Sequence, residues 1–382
     1  MLVGFLTGAA TLWIAYANGA NDNFKGVATL YGSGTTDYRQ ALTWATFTTL
    51  LGSMSACFLA QKLIRTFSGK GLVPDSLVTE PAFLLAVILG AGLTVYFSSQ
   101  QGIPISTTHS LTGALTGSGL AAIGAEIALR PLGKNFFLPL IFSPLLAIVA
   151  TALVYAGLRW ARVLLKIKKT ACVCVETQII PIGGLSFNQG DVIPLAVLKR
   201  LDIFVDKTQN CQMQALEQYA GKFWGIEIQK ILDAFHFMSA GAVCFARGLN
   251  DTPKIIALAV AAGFLGLRFN ILLVSMAMVL GGLLGARKVA EVLAHRITSM
   301  NHGQGFTANL MTSCIVIGAS LLGAPVSTTH VSCGALFGIG LVNGKAQVSS
   351  IRNILAAWVL TLPVSAGLSG LLFFLLKQGL GL

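Results

Sequence analysis

Negative charge is what this sequence most lacks. Asp and Glu together number 14 in 382 residues against 26 Lys and Arg, and charged residues make up only 10% of the chain. A soluble domain normally carries about 25%, so a charged, solvated surface over most of the chain is excluded. Hydrophobic residues reach 54%, the mean hydropathy is +0.76, and long stretches carry no charge at all. Such runs imply a multi-pass α-helical protein embedded in a lipid bilayer. Residues 1–17 have no Lys or Arg, the basic flank a secretory signal needs, and read as a retained first helix. A disulfide framework is also missing. The seven cysteines are an odd number without paired spacing. Cys57, Cys244, Cys314 and Cys333 fall in apolar segments as small packing residues. Cys172, Cys174 and Cys211 offer three thiols, and no fourth ligand stands near enough in the pattern for zinc. H-E-x-x-H is absent as well, which excludes that metalloprotease site.

The net charge of +12 raises the question of nucleic acid, and its location argues against that partner. The densest basic group is Arg159, Arg162, Lys166, Lys168 and Lys169, directly after an apolar segment ending near Tyr155. The positive-inside rule places such a group in a cytoplasmic loop of a cell-membrane protein. Apolar segments can be drawn at about 2–18, 41–61, 82–100, 104–125 and 137–158, and again at about 231–263 (interrupted), 270–286, 307–322, 326–342 and 351–376. The expected organisation is therefore an N-terminal membrane repeat at 1–159, a polar central loop at 160–229 and a C-terminal membrane repeat at 230–382.

The two halves repeat each other. "GAND" (Gly19–Asp22) precedes "PISTTH" (Pro104–His109), and "GLND" (Gly248–Asp251) precedes "PVSTTH" (Pro325–His330). Asp22 stands 84 residues before Ser106, and Asp251 stands 76 before Ser327. Two unlike motifs in one order at similar separation mark an internal duplication. Five crossings per half is an odd number, so the second copy starts on the opposite side of the membrane. This predicts an all-α fold of two inverted-topology repeats with re-entrant or broken helices, about 10–12 membrane segments in all.

An Asp at membrane depth is expensive and is normally paired and functional. Gly19 and Gly26 weaken the helix around Asn21, Asp22 and Asn23, and a break there would free carbonyls beside these side-chain oxygens. Such hard ligands suit a small cation, Na+. Asn250 and Asp251 form the second candidate site. A purely structural reading is an Asp neutralised by Lys25, or by Lys254, three residues on and on the same helical face. The Pro-x-Ser-Thr-Thr-His motifs suit helix starts, where a single hydroxyl would cap. Three in a row exceed that need. Ser106, Thr107 and Thr108, with Ser327, Thr328 and Thr329, form a candidate oxyanion site, to which Lys25 and Lys254 add charge.

These paired motifs are similar to those of the inorganic phosphate transporter (PiT) family, and the resemblance spans both halves. It implies cation-coupled symport of inorganic phosphate, with Na+ as coupling ion or H+ in some members, and a homodimer. It also implies roles for Asn21, Asp22, Asn250, Asp251 and both Ser-Thr-Thr runs. The chain departs from the family pattern in two places. Asn23-Phe24-Lys25-Gly26 replaces the usual Val-Ala-Asn-Ala, and Arg247 stands where relatives often have His. Both add positive charge, and some relatives carry sulfate, so an oxyanion permease of the same fold is the alternative. More distant alternatives are an ion channel, or an intramembrane hydrolase pairing Asp22 with Asp251; no enzyme activity is expected. His109 and His330 would relay protons, or simply bond the backbone at a helix start. His236, His295 and His302 carry no expected role.

Overall fold

The computed structural model describes residues 2–164, 172–181, 197–206, 222–223, 226–295, 300–344 and 348–379. Ten long helices match the ten apolar segments in order: α1 (Leu2–Asp22), α2 (Tyr38–Leu59), α3 (Pro81–Gln100), α4 (Thr107–Ile123), α5 (Leu138–Leu164), α6 (Ile228–Ala261), α7 (Leu267–Gly285), α8 (His302–Leu322), α9 (Thr328–Asn343) and α10 (Val348–Gly379). The chain divides into two compact units, Met1–Trp160 with Leu232–Leu382, and Ala161–Ile231. Both halves of the duplication thus share one unit. In the smaller unit strands β1 (Cys172–Pro181) and β2 (Val197–Asp206) pair antiparallel, with Cys172 opposite Asp206. The side chains of Cys172, Cys174 and Cys211 lie outside the described residues, as do those of Lys166, Lys168 and Lys169.

Local chemistry sets the helix ends. Asp37 caps α2 by accepting from Gln40 N, and Asn301 and Gln304 form a reciprocal capping box on α8. Gly102 and Gly323 turn the chain at φ +71° and +77°, each four residues before the serine that caps α4 or α9. Only glycine takes that left-handed conformation at no steric cost. Six helices among the described residues are long and apolar enough to cross a membrane. The other four carry the duplicated motifs. Of these, α4 and α9 have 17 and 16 residues, about 25 Å of helix against a hydrocarbon core of about 30 Å. Each is therefore too short to span that core by itself.

One expectation fails. The second motif was expected to interrupt its helix, yet α6 runs unbroken from Ile228 to Ala261 with Pro253 inside it. Only the first motif breaks its helix, at Asp22, before a turn and a short helix at Ala28–Gly32. Asp251 lies two residues before Pro253 inside this unbroken helix.

Packing follows an exchange of halves. A Cβ on Gly19 of α1 would lie 2.0 Å from Met278 O of α7, and one on Gly248 of α6 would lie 2.2 Å from Thr49 O of α2. Gly281 meets Tyr16 O as Gly52 meets Phe245 O. The shift that carries Asp22 onto Asp251 carries each of these contacts onto its twin. Likewise Gly113 and Gly117 of α4 abut Leu362 O and Ala366 O of α10, while Gly334 and Gly338 of α9 abut Pro144 O and Ile148 O of α5. Helices of one half therefore pack on helices of the other in matched pairs, a pseudo-two-fold relation. Small residues at such crossings let backbones approach where lipid offers no hydrophobic drive. The outward surface is apolar, with Phe58, Leu153, Phe269, Leu284 and Val359 exposed, whereas Asn18, Asn250, Thr252 and Ser365 are wholly buried. That distribution is the inverse of a soluble protein's.

Gly19→Ala and Gly248→Ala should each destabilise the fold, by about 1–3 kcal/mol for an overpacked contact. Gly157→Ala, with nothing near its Cβ position, should be neutral or stabilising. Melting temperatures of the purified variants in one detergent check the contrast.

Candidate functional site

The two motifs of each half converge. Asn21, Asp22, Lys25, Asn250, Asp251 and Lys254 are buried together with Ser106–Thr108 and Ser327–Thr329. Ser106 and Ser327 spend their hydroxyls as caps, accepting from His109 N and His330 N at 3.1 and 3.2 Å. Asn21 clamps the strap before α4, donating to Ile103 O at 3.0 Å and accepting from Ile105 N at 3.1 Å. Asn250 donates to Val326 O at 3.2 Å and accepts from Ser320 Oγ at 3.2 Å. The asparagines thus hold the re-entrant backbone in place.

The lysines close the arrangement. Lys25 pairs with Asp22 and donates to Ile105 O at 2.7 Å and to Thr329 Oγ1 of the other half at 2.5 Å. Lys254 pairs with Asp251 at 3.4 Å and donates to Val326 O at 2.8 Å and to Thr108 Oγ1 at 2.7 Å. Thr108 in turn donates to Val326 O and Thr329 to Ile105 O, at 3.1 and 2.9 Å. Each ammonium has three acceptors for its three N–H donors, and the two sets are twins under exchange of halves. Asn23 turns elsewhere, donating to Thr46 Oγ1 at 2.9 Å.

Two further residues belong to the cluster. Asn18 Nδ2 reaches Asp22 Oδ2 at 3.2 Å, Thr107 Oγ1 at 2.9 Å and Asp251 Oδ2 at 3.3 Å, so one amide links both carboxylates. Arg247 donates to Asn18 Oδ1 and Asn23 Oδ1, each at 2.9 Å. Its Nε makes no hydrogen bond and lies 3.9 Å from Asp251 Oδ2. Sequence reasoning passed over Asn18, though a signal existed: Asn18 and Arg247 each stand four residues before their Asp, one helical turn away.

Among the described residues, the buried Asp, Lys and Arg side chains are these five alone: Asp22, Asp251, Lys25, Lys254 and Arg247. Three cations face two carboxylates, an excess of one positive charge. A Na+ taking the lysines' oxygens would stand about 4 Å from an ammonium, where like unit charges repel by about 4 kcal/mol at an effective dielectric near 20. The candidate Na+ ligands therefore fit a cation poorly while the lysines stay, and the excess charge suits an anion.

The histidines divide. His109 and His330 rings meet at 4.1 Å between centroids, and His330 stacks on Trp358 at 3.7 Å. His109 Nδ1 contacts Ser106 Oγ at 3.1 Å. His236 bonds Thr29 Oγ1 at 3.0 Å, and His302 contacts Asp233 at 2.5 Å, both outside the cluster. The side chain of His295 lies outside the described residues.

Asp22→Asn should destabilise strongly, because it leaves the Lys25 ammonium buried without its carboxylate, a loss of about 3–5 kcal/mol. Asp22→Asn combined with Lys25→Met should recover most of it. A double-mutant cycle on melting temperature checks the coupling, and additive losses would exclude the ion pair as the cause.

Comparison with known proteins gives this geometry a family. The model of the phosphate transporter family matches residues 18–369. The chain is 26% identical to a Rhizobium meliloti protein named "Probable low-affinity inorganic phosphate transporter", covering 98% of this chain and 96% of that one. It is 26% identical to inorganic phosphate transporter 2-1 (chloroplastic) of Arabidopsis thaliana, over 96% of this chain and 71% of that protein. A solved structure titled "The sodium-dependent phosphate transporter" has the same fold, with TM-score 0.76 and 20% identity over 99% of this chain and 100% of its own. With the match running from the first Asn-Asp motif through the second Ser-Thr-Thr run, the chain belongs to the phosphate transporter family.

Proposed function

We propose that this chain is a secondary active transporter that symports inorganic phosphate with a cation across the cell membrane. The coupling ions that the family resemblance implies are Na+ and H+. The observation that carries the reading is the buried cluster itself, twinned between halves and one positive charge in excess. An excess cation in low dielectric favours an entering oxyanion. The starts of α4 and α9 add free first-turn N–H groups and the positive ends of two helix dipoles. The Thr107 hydroxyl accepts from Asn18 and keeps its own O–H to donate, buried Thr328 is read as its counterpart, and Arg247 Nε is a donor still to be met. Thr108 and Thr329 hold the lysines, and Ser106 and Ser327 shape the helix starts.

The pseudo-two-fold axis is read as lying in the membrane plane, since five crossings per half invert the second copy. Rocking of one half against the other about the shared cluster would then expose it to each side in turn. The central segment is assigned to the cytoplasm from Arg159 and Arg162 and the lysines that follow. A homodimer is adopted from the family resemblance.

Labelled phosphate uptake in proteoliposomes, with Na+ and pH gradients varied separately, tests the reading; flux indifferent to every gradient would indicate a channel. Arsenate should compete with phosphate and sulfate should not. Phosphate and arsenate keep a proton near neutral pH and can donate it to a hydroxyl or carboxylate oxygen, whereas sulfate only accepts. Sulfate competing better than arsenate would move the cargo to another oxyanion and leave the transporter reading standing. For topology, Cys172 and Cys174 should resist an impermeant thiol reagent in intact cells and react after permeabilisation.

A further inference from the structure

We propose that Lys25 and Lys254 are built-in cations that fill the two oxygen cages at the starts of α4 and α9, so that this transporter binds and carries its oxyanion without free Na+, and of the two coupling ions named above only H+ remains. The inference takes the identity of the cargo from the phosphate reading and concerns only the cation. Each cage offers one carboxylate, one backbone carbonyl and one threonine hydroxyl: Asp22, Ile105 and Thr329 in one, Asp251, Val326 and Thr108 in the other. Carboxylate, carbonyl and hydroxyl oxygens are the hard ligands a small cation seeks. Here an ammonium on a fixed stem takes all three in both cages. The hydroxyls come from the opposite half, so each lysine ties one half to the other as a bound cation would.

Charge supports the same conclusion. The ammonium ions pair with Asp22 and Asp251, Arg247 lies 3.9 Å from Asp251, and the Phe67 ring lies 5.8 Å from Lys254 Nζ. Two carboxylates are already outnumbered by three cations. A Na+ would raise the excess to two, while an oxyanion removes it. All three donors of each lysine are engaged, so neither has one left to clamp phosphate in this conformation.

The test uses the full-length protein in two assays. Replacing Na+ by choline should leave labelled phosphate uptake in proteoliposomes within about twofold, since an ion that binds no state of the carrier shifts none of its equilibria. The melting temperature of the purified protein should be equal in NaCl and choline chloride. Lys25→Ala and Lys254→Ala open their cages, and each should acquire a melting temperature that rises with Na+ and not with choline. Wild-type uptake that collapses without Na+, or wild-type protein that Na+ stabilises, overturns the proposal. So does a folded lysine variant that shows no Na+ response. If a variant fails to fold, the wild-type comparisons still decide. Wild-type protein that moves no phosphate in either medium refutes the cargo reading instead, and the melting comparison then decides the cation question alone.

Discussion

A buried ammonium must meet three N–H donors, and Lys25 and Lys254 do so only by joining the two halves. Each takes its carboxylate and its carbonyl from its own half and its hydroxyl from the other. Stripping charge of water costs several kcal/mol per ion after relaxation, so these bonds require the straps before α4 and α9 to stay where Asn21 and Asn250 hold them. The left-handed turns at Gly102 and Gly323, the serine caps and the shortness of α4 and α9 all serve that placement. A cluster so constrained is difficult to deform in one half without disturbing its twin.

The rest of the fold makes the cluster affordable in lipid. Helices in a bilayer gain little from burying apolar side chains against each other, and close backbone contact takes over. Matched glycines bring α1 against α7, α2 against α6, α4 against α10 and α5 against α9. Because these four pairings cross between halves, neither half could form them by itself. The apolar bulk is displaced outward to face lipid, leaving polar side chains inside to satisfy one another. This is also why serine and threonine hydroxyls return so often to carbonyls one turn back, as Thr94 does to Gly90 and Ser275 to Ile271.

Much of the fold was legible because membrane helices announce themselves by length and apolarity, and each of the ten apolar runs became one long helix. The duplication was legible because Asn-Asp and Ser-Thr-Thr are rare in such runs. The course of α6 through its motif was not. Gly248 and Pro253 look like breakers, but Gly248 is present for the close approach to Thr49 O, and Pro253 sits inside α6 without ending it. The lysines were seen as additional charge at the oxyanion site. Their three-way bonding was invisible, because Thr329 and Thr108 lie hundreds and scores of residues away from the lysines they hold.

What the sequence determined by itself was local and periodic: membrane class, segment number, the twin motifs, and the family they resemble. Hydrophobic periodicity, capping and turn chemistry act between near neighbours, so they can be read along the chain. What only the tertiary structure decided was which oxygen meets which cation. Asn18 links Asp22 to Asp251, Arg247 crosses to Asn18 and Asn23, and each lysine finds its hydroxyl in the opposite half. Those choices arise from the exchange of halves in space: the repeated motifs show that there are two halves, but not which side chain of one meets which of the other. Hydrogen bonds and charge pairs act over a few ångströms, and only folding brings such distant residues that close.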